Sequence, residues 1–176
     1  MKVRRGFVSN SSSSSFIVAF PREPASWQEL QEWLFGQEQT HTIWDDDAVP
    51  TADLAQIIWW NIQLGTPMDG VWVQQELADA GGEFGQENPE RRAERKLLYK
   101  EECQDITPER KQEIADRLYD LDQEAAAQVY QATMATAMAG GAVAYRFSYG
   151  DHTKLGGHLD HGDVFKNLPH VRINEH

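Results

Sequence analysis

The chain has almost no cysteine: Cys103 stands alone among 176 residues. A single thiol excludes a disulfide framework within the chain and fits a reducing compartment. Long apolar runs are missing too, and none approaches the ~20 residues that cross a bilayer. The N-terminus passes from Lys2-Val3-Arg4-Arg5 into a short strand-like run, without the apolar stretch of a signal peptide. These absences lead us to expect a soluble, cytoplasmic protein with no membrane partner. Basic residues are missing from one long span. Between Glu23 and Glu90 there are fourteen Asp or Glu and no Lys or Arg, in a chain of formal net charge −12. Most of such a surface repels a nucleic-acid backbone, so direct nucleic-acid binding is disfavoured.

Established catalytic patterns are absent as well. There is no Gly-x-Ser-x-Gly, so nothing selects one serine as a nucleophile. There is no HExxH and no cysteine ligand pair. Asp45-Asp46-Asp47 lacks the Gly and terminal Glu of an EF-hand loop and reads as a solvated turn.

What is present begins at the N-terminus. Arg4-Arg5-Gly6-Phe7-Val8-Ser9-Asn10 leads into Ser11 to Ser15 and then Phe16-Ile17-Val18-Ala19-Phe20. A serine tract is ordinarily a linker. Here strand-like residues flank it on both sides, so it is expected as an ordered loop at a sheet edge, with Asn10 in a turn. Hydroxyls and backbone N–H groups beside Lys2, Arg4, Arg5 and Arg22 suit an anion. The candidate anion-binding set is Arg4, Arg5, Ser9, Asn10, Ser11, Ser12 and Ser13, joined by Arg146 and Arg172 from the polar faces of two later strands. The alternatives are that those two arginines pair with helix acids, and that the hydroxyls satisfy the loop's own backbone.

The middle of the chain reads as helical. Ser26 with Glu29 forms a capping box before Trp27, Leu30, Trp33 and Leu34, and Gly36 ends that helix. His41 to Trp44 reads as a brief extended piece. Thr51 is expected to cap a helix ending at Gly65, and a third helix spans about 67–79. Residues 81–105 look like a helical insertion or surface arm, charged from Pro89 onward. Thr107-Pro108-Glu109 starts a long helix that runs to Gly140-Gly141. The period then changes to two: Val143, Tyr145, Phe147 and Tyr149 alternate with Ala144, Arg146 and Ser148 in a half-buried strand. A Gly/His/Asp-rich loop at 150–163 precedes a last strand carrying Val171 and Ile173.

Five of the six histidines lie in the last 25 residues, interleaved with Asp151, Asp160 and Asp163. The spacing His158-x-x-His161-x-Asp163, with His176, is a candidate ligand set for Zn, Mn, Fe or Ni, since neutral imidazole and carboxylate suit these metals. With a metal bound, phosphoester hydrolysis would follow naturally. Otherwise these side chains serve turns and hydrogen bonds.

The run Arg5-Gly6-Phe7-Val8-Ser9-Asn10 with Ser11 to Ser15 and Phe16, together with His161-Gly162-Asp163-Val164-Phe165 and Leu168-Pro169-His170-Val171-Arg172-Ile173-Asn174-Glu175-His176, resembles a family of uncharacterised bacterial and phage proteins. The resemblance covers roughly the first 20 and last 30 residues. It implies a prokaryotic or phage intracellular protein whose two ends belong together, and it transfers no catalytic residue. The expected architecture is α+β in a single domain over 1–176, with a small, mainly antiparallel sheet from both chain ends packed on several helices. The expected function is a phosphate or anion site between the Ser/Asn loop and the His/Asp-rich C-terminus. The alternative is an acidic interaction module or nucleic-acid mimic that docks on a basic protein partner.

Overall fold

Ser13 to Ser15 of the serine tract are strand. In the computed structural model, which describes residues 13–43, 48–80, 88–104, 106–150 and 152–175, β1 (Ser13–Phe20) begins inside the serines. For Ser13, Asn174 and Glu175 only the backbone is described. The expected strand at Val3–Val8 and the turn at Asp45–Asp47 lie outside these residues. β1 is central in a three-stranded sheet, antiparallel to both β4 (Val143–Gly150) and β5 (His170–Glu175). The two ends of the chain therefore share one sheet, as the α+β expectation required.

Register decides which side chains share a face. Phe16 lies opposite Phe147 and Arg172, while Ile17 lies opposite Arg146 and Val171. Successive side chains of a strand point to opposite faces. One face thus carries Phe16, Val18, Phe20, Tyr145, Phe147 and Tyr149. It packs against α1 (Trp27–Phe35), α2 (Thr51–Leu64) and α7 (Lys154–His161). The other face carries Ile17, Ala19, Ala144, Val171 and Ile173, beneath α3 (Gly70–Asp79), α5 (Pro108–Thr133) and α6 (Ala135–Ala139). The strand at 143–150 alternates as expected, with Tyr145, Phe147 and Tyr149 buried and Arg146 and Ser148 exposed. Only Ala144 departs and is buried too, because helices cover both faces, and Ser14 and Ser15 are buried as well.

The segment after α2 crosses from one face to the other around the outer edge of β4, where Met68 pairs with Ala144. A two-stranded sheet of β2 (Thr40–Thr42) and β3 (Ala48–Pro50) lies between α1 and α2 in sequence. The α1 cap is as expected: Ser26 Oγ accepts from the Glu29 N–H, and Gly36 ends the helix at φ 60°. Thr51 is not a cap, because Pro50 occupies that position. Its buried hydroxyl instead donates to the Glu38 carbonyl at 2.7 Å and accepts from Gln31 at 2.8 Å.

α4 (Pro89–Glu102), within the expected arm at 81–105, packs along α5. The long helix expected from Thr107 breaks at Met134 into α5 and α6. Among the described residues no helix is long and apolar enough to cross a membrane.

Candidate functional site

The segment 150–163 was expected to be a loop, yet Lys154 to His161 form α7, capped by Thr153, whose hydroxyl accepts from the Gly156 N–H. Two adjacent glycines hid this helix. Gly156 is required sterically, since a Cβ there would collide with the Gly150 carbonyl oxygen. The close approach lays α7 over the end of the sheet, beside the serine end of β1.

α7 turns three polar side chains to different neighbours. His158 is fully buried, with its Nδ1 3.0 Å from Nδ1 of His41 on β2. His41 Nε2 lies 2.7 Å from the Gly162 carbonyl, which can only accept, so Nε2 carries a hydrogen. With both rings neutral, His41 Nδ1 is the acceptor and His158 Nδ1–H the donor. Gly162 permits this: a Cβ would strike the His41 ring and the His158 carbonyl oxygen. His41 went unremarked as a site residue because it sits alone in a three-residue strand, far in sequence from the other histidines.

Asp160 is the second of these side chains. It is buried, and its carboxylate is 0% exposed. Arg172 Nη2 lies 3.4 Å from Oδ1, and His161 Nε2 lies 3.3 Å from Oδ2. Arg172 also donates from Nε (3.0 Å) and Nη2 (2.7 Å) to Ser14 Oγ, and its guanidinium lies over the Phe16 ring. The reach from Arg172 to Ser14 is the diagonal cross-strand contact that antiparallel pairing provides. Ser14 is buried, whereas 40% of the Arg172 side chain remains exposed. A chain of contacts therefore runs Ser14–Arg172–Asp160–His161. It joins the serine tract to the His/Asp-rich segment, although Asp160 was not among the expected site residues.

The other expected anion ligands divide. Arg4, Arg5, Ser9, Asn10, Ser11 and Ser12 lie outside the described residues. Ser13 belongs to β1, opposite Gly150 and Glu175. Arg146 and Arg172 do not share a face: Arg146 pairs with Glu76 of α3 at 2.7 Å on the opposite side of the sheet. Both arginines thus meet helix acids, which was the alternative for them. Ser15 Oγ, also on the Arg146 face, lies 2.6 Å from Ser148 Oγ.

The candidate metal ligands divide too. His158 faces His41, His161 lies beside Asp160, Asp163 follows the α7 C-cap at φ 46°, and His176 is outside the described residues. Among the described residues no group of three or more His, Cys, Asp or Glu is placed to hold a metal ion.

Beside the site, between α2, the end of β4 and the start of α7, lies an open depression of about 560 Å³. Ile57, Leu155 and Leu159 make its wall largely apolar. Tyr149 also lines it, and burial pushes that hydroxyl well above the ordinary tyrosine range, against the smaller opposing effect of the hydrogen bond from Asn61. Compared with family models, curated proteins and solved structures, the chain matches none.

Proposed function

We propose that the protein binds a small phosphate-bearing ligand at the sheet end where Ser14, Arg172 and α7 meet. The observation that carries this reading is the state of Arg172. Its guanidinium is held on one side by Ser14 and Asp160, while 40% of the side chain remains exposed. A fixed arginine with unspent N–H donors suits an anionic oxygen, because little further ordering is needed on binding. β1 begins at this same end, at Ser13. The reading is one of binding and assigns no reaction.

Acidic docking on a basic partner receives less support. Of the described acids of 23–80, Glu29 and Glu32 sit on α1, Asp53 on α2, and Glu76 and Asp79 on α3, and these helices cover opposite faces of the sheet, so they compose no single acidic face.

The test is thermal unfolding in inorganic phosphate at constant ionic strength. A ligand that binds only the folded state raises Tm by mass action. Arg172→Gln should abolish the rise, and Arg146→Gln, on the other face, should leave it intact. A rise of equal size in all three proteins, or none in the native chain, would remove the site.

A further inference from the structure

We infer that this site selects an anion that keeps a hydroxyl of its own: hydrogen phosphate, or the monoanion of a phosphate monoester, over sulfate or a phosphodiester. The inference rests on the binding reading above and adds the role of Asp160 to it. Its Oδ2 is buried, and among the described residues no donor completes a hydrogen bond to it. The nearest candidate, His161 Nε2 at 3.3 Å, makes an ion-pair contact without hydrogen-bond geometry. Among the described residues Oδ1 has only the long Arg172 contact at 3.4 Å. A buried carboxylate oxygen lacking a donor is costly, and native proteins rarely leave one so.

Asp160 also stands in the wrong place for a simple anion site. Its negative charge adjoins the very guanidinium that would hold the ligand, and it repels any fully ionised oxyanion. An anion that donates a hydrogen turns this repulsion into an attraction. Inorganic phosphate at neutral pH keeps at least one proton, whereas sulfate and a phosphodiester keep none. With two oxygens on Arg172, the ligand's O–H is directed at Oδ2 once the partly exposed His161 ring rotates aside. Asp160 is then a specificity-determining residue, and Arg172 supplies affinity.

Titration calorimetry of the full chain with sodium phosphate, sodium sulfate and dimethyl phosphate tests this, at matched ionic strength and neutral pH. Phosphate should bind at least about tenfold more tightly than the other two, the order of one hydrogen bond to a charged group. In Asp160→Asn an amide replaces the carboxylate, so the gap between phosphate and sulfate should close. If that variant fails to fold, the three ligands on the native chain still decide. Equal affinities for phosphate and sulfate would overturn the selection and leave the Arg172 site standing. Heat from none of the three would overturn both.

Discussion

α4 and α5 meet through charge, whereas β1 meets its neighbours through rings and hydrocarbon. Along the helix pair, Arg117 bonds Glu94 and Glu124, Arg110 bonds Glu101 and Glu113, and Arg91 reaches Glu124 and Gln128. Nearly all these groups are at least partly exposed, and Leu97, Tyr99 and Tyr119 point outward nearby. Only Arg95, paired with Asp122, is buried. At the sheet, Phe165 stacks against Phe147 and tilts on Phe16, with centroids 5.4 and 5.3 Å apart, and almost nothing is exposed. The polar groups that do enter there, Ser14, Asp160 and His158, have specific neighbours. Charge on a surface is replaceable, because water competes for it. A polar group inside the sheet layers must be matched individually, so that is where a function can be read.

The largest effect that separates the two regions is a side-chain truncation. Phe165→Ala should cost about 3–5 kcal/mol, since the residue is enclosed and its ring contacts vanish with it. Leu97→Ala on α4, a residue 68% exposed, should stay within about 0.5 kcal/mol. Chemical denaturation of both variants measures the contrast. Comparable losses would mean that α4 is as deeply built into the core as the sheet.

A middle-sized effect belongs to the His41–His158 contact. Gly162→Ala drives a methyl into the His41 ring and the His158 carbonyl, and overpacking of this kind costs about 1–3 kcal/mol. His41→Ala instead takes the partner from the buried His158 Nδ1, at about 1–3 kcal/mol, and from the partly exposed Gly162 carbonyl at less. The two substitutions remove the same interaction, so the double variant should lose less than the sum of the singles. Full additivity in denaturant melts would show that His41 and Gly162 act apart.

Much of this fold was legible in the chain, for identifiable reasons. Phe16, Tyr145, Phe147, Val171 and Ile173 announce strands by type and alternation, and all are buried. Thr107-Pro108-Glu109 starts α5 as expected, with the Thr107 hydroxyl accepting from Arg110. What failed to show were quantities that only pairing defines. Arg146 and Arg172 each look polar-faced in their own strand, but β1 sets their relative phase, and its register puts them on opposite sides. The serines carry no period, so nothing marked Ser14 and Ser15 as strand residues. α7 was hidden because Gly156-Gly157 reads as a loop until the approach to Gly150 is seen. Asp160 stood in the sequence as one acid among several, and only its burial against Arg172 distinguishes it.

The smallest effect tests the charged side of the comparison. A hydrogen bond from Arg117 holds the Glu94 carboxyl below the ordinary carboxylate range, and one from Arg110 does the same for Glu101. The matching arginines are pushed upward, so they stay charged throughout. A carboxyl whose pKa is depressed by folding binds protons more readily in the unfolded chain. Its contribution is therefore complete above the ordinary value of 4.5 and is lost as pH falls through the lower folded value. Because both carboxyls are solvent-exposed, screening keeps this contribution small, and it should fade in about 1 M salt, where the Debye length is ~3 Å. Acidification at low salt should then lower Tm slightly, and Glu94→Gln with Glu101→Gln should flatten that acid limb while leaving Tm near neutrality little changed. An unaltered acid limb in the double variant would place the acid-sensitive groups elsewhere.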